Sequence, residues 1–168
     1  GQGKPVLIEK PLTTTYADAQ GLCELADRNS TFISVGYRSR HWAGVRTLKH
    51  LLEKDFFGRV QRFHYECGNT GSWGAVSGYS VNRAQAGGGI LLDAHAVDKL
   101  LYWFGAPSRF SYADDSHGGV EANCLAELTY EGAHGCTGSL FLSRTMELKN
   151  KIVLETERYR CELEEKED

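Results

Sequence analysis

The spacing of apolar positions changes several times along this chain, and each change marks an element. "PVLIE" (residues 5–9) is a short unbroken apolar run closed by a charge, the pattern of a strand covered on both faces. In "TTTYADAQGLCELADRN" Ala19, Leu22, Leu25 and Ala26 recur at helical spacing, with Thr15 as N-cap and Asp18 in the first turn. "TFISVGY" returns to the buried-strand pattern, so residues 5–37 read as a βαβ unit of a parallel sheet. "HWAGVRTLKHLLEKDFFG" predicts a second helix, with Trp42, Val45, Leu48 and Leu52 on one face and Gly58 ending it. "RVQRFHYECG" alternates, placing Phe63, Tyr65 and Cys67 on one side of a half-buried strand. Residues 68–86 are polar, glycine-rich and without period, which predicts a long loop, and such loops usually serve function. A helix over residues 90–104 follows, opened by Gly87, Gly88 and Gly89 and stopped by Gly105 and Pro107. "SRFSYADDS", "EANCLAELTYEG", "GCTGSLFLS" and "KIVLETERYRCELE" then read as four strands, with a hairpin turn over residues 130–132.

These elements divide the chain. One parallel strand pair cannot stand as a doubly wound domain, because it leaves edges and faces uncovered. The expected fold is therefore an α/β remnant plus α+β. Residues 1–40 are the end of a Rossmann-like domain, and residues 41–168 are a domain with an open, mainly antiparallel sheet covered by helices on one face. The other face should carry enough apolar side chains, from "CLAELTY" and "SLFLS", to drive self-association into a dimer or higher oligomer.

Composition narrows the function classes. A net charge of -3 in 168 residues offers no general attraction to nucleic acid, and no apolar run reaches the length of a membrane span. Five cysteines, Cys23, Cys67, Cys124, Cys136 and Cys161, show no CxxC spacing. That argues against a disulfide framework and a structural zinc site, so the thiols are expected packed in the core of a cytoplasmic protein with no metal. No G-x-G-x-x-G follows a strand; "GQGK" has no strand before it and the wrong spacing. The chain reads as the back end of a larger α/β enzyme plus its second domain.

The helix after the glycines raises the chemical question. "GGGILLDAHAVDKLLYWFG" places Asp93, His95 and Asp98 within six residues of an otherwise apolar helix. Buried charges must be paired or used. With "GKPVLIEKPL" and "ADAQGLCELADRNSTFISVGYRSR", this stretch resembles the Gfo/Idh/MocA family of NAD(P)-dependent sugar and cyclitol oxidoreductases over nearly the whole chain.

The resemblance implies NAD or NADP as cofactor and a small-molecule sugar, cyclitol or related polyol, oxidised at a secondary alcohol. It implies that Glu9, Lys10 and Pro11 end a strand beside the nicotinamide and that Arg38 lies near the cofactor, with Tyr37 and Arg40 as neighbours. Lys10 and His95 would handle the hydroxyl proton, since a partly desolvated lysine at a strand end can have its pKa lowered. The alternatives are a surface lysine in a turn and a structurally satisfied histidine. Asp98, one helical turn after His95, would orient it, bind substrate or pair structurally. Trp73 would offer an aromatic plate to a sugar ring or pack back on the loop, and Asn82 and Arg83 would meet hydroxyls or a carboxylate.

Asp93 departs from the family's Asp-x-Gly-x-His spacing. It stands two residues before His95, which turns it about 200° away on a regular helix. Either the helix begins irregularly and Asp93 caps it near the substrate, or it only complements the helix dipole. The glycine triplet should let this helix approach the end of the first strand, bringing His95 towards Lys10. A second functional class stays open: a noncatalytic binding or dimerisation module derived from the family. Without a phosphate loop the chain alone is expected to be inactive, and a G-x-G-x-x-G encoded roughly 90 residues upstream would decide for the enzyme.

Overall fold

The computed structural model describes residues 3–70, 81–89, 94–116, 119–132 and 135–165. Strands β1 (Val6–Ile8) and β2 (Ile33–Val35) pair in parallel, Val6 opposite Ile33, with helix α1 (Tyr16–Arg28) as the crossover. Thr15 caps α1, its Oγ1 accepting the Asp18 N–H at 3.2 Å, which satisfies one of the helix's orphan donors. The described residues leave this unit thinly covered: Leu7 is 77% exposed, Phe32 62%, and Ala26 alone is buried in α1.

The rest forms one sheet with helices on one side. After α2 (Ala43–Glu53) and β3 (Val60–Gly68) come the short α3 (Arg83–Ala86) and α4 (Ala94–Phe104). Strands β4 (Arg109–Asp114), β5 (Asn123–Tyr130), β6 (Cys136–Ser143), β7 (Lys151–Thr156) and β8 (Arg160–Glu164) follow. The order across the sheet is β4-β5-β6-β3-β7-β8, parallel between β3 and β6 and antiparallel elsewhere.

Two expectations are corrected. "KIVLETERYRCELE" is a hairpin, β7 and β8, rather than one strand. Thr156 makes the turn without glycine or proline: its Oγ1 accepts the Tyr159 N–H at 2.9 Å and bonds the Phe57 carbonyl at 2.8 Å. The long loop also contains α3, capped by the Asn82 side chain, which accepts the Ala84 N–H at 3.1 Å. Of the helix expected over 90–104, residues 90–93 lie outside the described residues.

Alternation along the strands builds the core. Phe63 and Tyr65 of β3, Leu140 and Leu142 of β6 and Ile152 and Leu154 of β7 meet Val45 and Leu48 of α2 and Ala96, Leu100 and Trp103 of α4. Each such side chain contributes roughly 1.5–3 kcal/mol by burial. Trp103 locks the helices together, donating from Nε1 to the Val45 carbonyl at 3.1 Å. Gly138, opposite Phe63 on the parallel pair, gives the Phe63 ring room to stack on Phe104 at 4.8 Å.

The open face is more polar than the sequence pattern implies. "CLAELTY" and "SLFLS" turn Cys124, Ala126, Leu128, Tyr130, Leu140 and Leu142 towards the helices. Leu125, Phe141 and Val153 stand on the other face, where pairing register sets Arg62, His64, Glu66, Glu127, Ser139, Glu155 and Glu162 alongside them. All five cysteines are free thiols; Cys124 and Cys136 are buried, whereas Cys23 is exposed on α1, contrary to its expected place in the core. Among the described residues no helix is long and apolar enough to cross a membrane.

Candidate active site

The site forms where the two parallel strands end. Glu9, Lys10 and Pro11 leave β1 through a cis Lys10–Pro11 bond, and the Glu9 carboxylate lies over Gly36, where a Cβ would come within 3.4 Å of Oε1. After the neighbouring strand the chain turns sharply at Tyr37 (φ -78°, ψ 64°), an inverse γ-turn closed by the Arg38 N–H on the Gly36 carbonyl at 2.9 Å. The following 3-10 turn, Arg38–His41, presents its side chains to α4. Crevices at the carboxyl ends of parallel strands are where open α/β sheets bind ligands.

His95 is the focus of these contacts. Its Nδ1 lies 3.1 Å from Oγ of the fully buried Ser39. The Tyr37 ring meets it edge-on, centroids 6.0 Å apart. Ser39 can donate to Nδ1 or accept from it, so the other ring nitrogen can present either a proton or a lone pair. Partial burial lowers the imidazole pKa, and the positive charges of Lys10, Lys99 and Arg38 lower it further against the weaker pull of Asp98. Of these charges that of Lys10, two residues past the end of β1, has the largest effect. Burial likewise raises the Tyr37 hydroxyl pKa, helped by the Asp98 carboxylate.

Asp98 is spent on another partner. Arg40 grips it bidentately, Nε to Oδ2 at 2.7 Å and Nη2 to Oδ1 at 2.5 Å, with Asp98 only 4% exposed. One turn of α4 beyond His95, Lys99 is 2% exposed, ion-paired with Glu165 and set against the Trp42 and Tyr65 rings at 5.3 Å each. The Tyr65 hydroxyl donates to the same Glu165 carboxylate.

A cleft of about 310 Å³ opens beside His95, bounded by Arg38 and Trp42 on the helix side and by Gly68, Asn69, Arg144, Asn150 and Glu165 on the sheet side. Asn150 braces that wall: its Oδ1 accepts the Gly68 N–H at 2.7 Å and its carbonyl accepts the Glu165 N–H at 2.8 Å. Ser143 is used internally, donating to Asn123 Oδ1 at 2.6 Å and accepting the Met146 N–H at 2.9 Å.

Other candidates lie elsewhere. Arg83 points its guanidinium to Ser116 Oγ at 3.4 Å and the Gly119 carbonyl at 3.2 Å, off the cleft lining. Trp73 and Asp93 lie outside the described residues. The glycines approach a different neighbour from the one expected: a Cβ on Gly89 would fall 2.1 Å from the Glu121 carbonyl oxygen, and one on Gly88 3.2 Å from Glu121 Oε1. The triplet therefore packs against the segment before β5 rather than the end of β1. Sequence reasoning also missed Ser39, Lys99 and Glu165. Lys99 was findable at i+4 from His95 in an apolar run, whereas Ser39 and Glu165 carry no local signal.

Residues 45–163 match the GFO/IDH/MocA C-terminal domain, and residues 1–37 match the oxidoreductase family's NAD-binding Rossmann fold. The chain belongs to the GFO/IDH/MocA oxidoreductase family. An uncharacterized oxidoreductase of Schizosaccharomyces pombe is 32% identical over 114 residues, 62% of this chain and 29% of that protein. The WlbA dehydrogenase of Bordetella pertussis, in complex with NADH and UDP-GlcNAcA, has the same fold, with TM-score 0.86 at 21% identity over 95% of this chain and 51% of its own. Levoglucosan dehydrogenase, in complex with NADH and levoglucosan, gives TM-score 0.82 at 19% identity over 96% of this chain and 48% of its own. The chain thus spans between about a third and a half of the length of these relatives.

Proposed function

We propose that this chain supplies the proton-handling and substrate-binding part of an NAD-dependent oxidoreductase acting on a secondary alcohol of a sugar or polyol. The observation that carries the reading is His95, held by buried Ser39 at the wall of a polar cleft and near enough to Lys10 for that charge to lower its pKa. The sugar ligands of similar structures, UDP-GlcNAcA and levoglucosan, agree with it. The residues present fit the nicotinamide end of the cofactor: Glu9, Lys10, Pro11 and Arg38 would border it, with the Glu9 carboxylate already held over Gly36. They offer no glycine-rich cradle for its pyrophosphate. The choice of NAD rather than NADP rests on the family's NAD-binding description and on the NADH found in similar structures.

When bound, NAD supplies the hydride acceptor. Lys10 takes the hydroxyl proton as the alcohol carbon loses hydride. His95, kept neutral by burial and nearby cations, hydrogen-bonds the same hydroxyl, its ring held by Ser39 at Nδ1. Arg40 and Asp98 fix the 3-10 turn against α4 and so hold Ser39 and His95 in register; Asp98 is a positioning residue. Arg83 reads as a tie to the Ser116–Gly119 turn. The open sheet face is our assignment for self-association, and the free thiols suit a cytoplasmic enzyme.

Assay of the complete gene product for NAD reduction tests the reading. Lys10→Ala should lower kcat by about 10²–10⁴-fold, the typical worth of a general acid–base group, with the Kd for NAD nearly unchanged. Near-normal turnover would favour the second class, a binding or dimerisation module.

A further inference from the structure

The two edges of the six-stranded sheet are built differently. At one edge β8 carries Arg160, Glu162 and Glu164 at alternate positions, and charges of this kind discourage pairing with another chain. At the other edge β4 holds Phe110, Ser111, Tyr112 and Ala113, all uncharged, between Arg109 and the acidic Asp114 and Asp115. It contains no proline, lysine or bulge, and it pairs with β5 in unbroken register. Every residue of β4 is exposed, Phe110 at 72% and Tyr112 at 42%, and among the described residues no strand pairs with its outer side. Two bonds fix the alternation of the ladder: Asp115 N–H to the Asn123 carbonyl at 3.3 Å, and Arg144 N–H to the Ala122 carbonyl at 2.8 Å. Odd-numbered residues of β4 therefore bond to β5, and Phe110, Tyr112 and Asp114 turn their N–H and C=O groups to the outer edge.

We infer that β4 pairs antiparallel with β4 of a second copy of this chain, across a two-fold axis at Ser111, so that one sheet continues into the next. A two-fold axis normal to the sheet keeps each side chain on its own face, which restricts the pairing to registers centred on a residue. Centring on Ser111 sets Phe110 opposite the partner's Tyr112, and Tyr112 opposite the partner's Phe110. Both exposed rings then gain cross-strand aromatic contacts. The same arrangement brings the basic end of each strand to the acidic end of the other. Arg109 falls opposite the partner's Ala113 and diagonal to the partner's Asp115, a distance that a long side chain spans. Arg109 pairs with Glu131 at 2.9 Å where both side chains are exposed, and a pair so exposed is weak enough to exchange. Asp115 Oδ2 accepts the Asn123 side-chain amide at 2.7 Å and keeps a second lone pair. Parallel pairing would instead set arginine beside arginine and acid beside acid. This edge contact is separate from the open face, which it leaves uncovered.

The test compares the complete gene product with its Phe110→Lys variant by sedimentation velocity over a concentration series. Phe110→Lys removes two aromatic pairs and places a lysine on each edge, so the dissociation constant should rise at least about tenfold. Phe110 is mostly in solvent, so folding is not at stake and the circular dichroism should be unchanged. Ser111→Cys under mild oxidation should give a covalent dimer whose bridging peptide maps to position 111 in both copies. Directly opposed residues between ladder bonds stand about 4.5 Å apart at Cα, within disulfide reach. Adding Phe110→Lys should abolish that bridge, whereas adding Leu125→Lys, on the open face, should leave it. Wild-type protein that stays monomeric, association unchanged in Phe110→Lys, or no bridge at position 111 would overturn the inference. A bridge lost with Leu125→Lys and kept with Phe110→Lys would also overturn it, and would assign the contact to the open face. None of these results bears on the proton-handling reading, which is decided by the kcat of Lys10→Ala.

Discussion

Lys99 and Glu165 make a pair whose two halves should be unequally expensive to remove. Their side chains are 2% and 10% exposed. Lys99 is fixed on α4 with the Trp42 and Tyr65 rings each 5.3 Å from its ammonium, so Glu165→Leu leaves a buried charge without its carboxylate. Breaking a buried pair from one side costs about 3–5 kcal/mol. Removing the lysine instead leaves a carboxylate just past the end of β8, still hydrogen-bonded by Tyr65 and near enough to the surface to turn outward. Lys99→Met should therefore cost less, about 1–3 kcal/mol. The double variant Lys99→Met/Glu165→Leu, which buries no charge, should recover most of the larger loss. Urea unfolding followed by tryptophan fluorescence measures all three, provided the m-value is constant. A Glu165→Leu loss smaller than that of Lys99→Met, or a double variant no better than Glu165→Leu, would refute the reasoning.

Further expectations follow from His95 and from two glycines. Because its folded pKa is below the ordinary 6.5, the unfolded chain takes up the proton first as pH falls. The stability tied to neutral His95 is thus full above 6.5 and declines below it, towards the lower folded pKa. His95→Gln should lose less stability than the wild type between about pH 7.5 and pH 5.5, and Lys10→Met should move the His95 NMR titration upward by removing a nearby cation. Gly138→Ala would put a Cβ 2.3 Å from the Phe63 ring, costing about 1–3 kcal/mol by overpacking. Gly21→Ala, in α1 with nothing within 4 Å, should instead stabilise by about 0.5–1 kcal/mol through helix propensity. Thermal denaturation of the two variants side by side checks both signs.

What could be read from the sequence was governed by local period. The βαβ unit and the Thr15 cap were visible because unbroken apolar runs and a capping threonine act within a few residues. The β7–β8 turn was hidden because Thr156 closes it with its hydroxyl and Tyr159 packs against Phe56 at 6.1 Å, neither of which glycine or proline announces. The parallel β3–β6 pairing is a long-range choice that alternation alone does not specify. Lys10 and His95 were nameable through their motifs. Glu165 was not, since an acidic tail such as "ELEEKED" looks solvated until Lys99 and Tyr65 are seen to draw its fourth residue inward. The same holds for Asp98: the sequence shows its helical face, but only the fold reveals that Arg40 claims it.

The most direct measurement is a double-mutant cycle on kcat in the complete gene product, with Lys10→Ala, His95→Gln and both together. If the two residues serve one proton transfer, each single variant should lose most of the rate, and the double variant should be little slower than the worse single, because groups acting as a unit are strongly non-additive. Losses that simply multiply, or a Lys10→Ala variant with near-normal turnover, would contradict a shared proton-handling site.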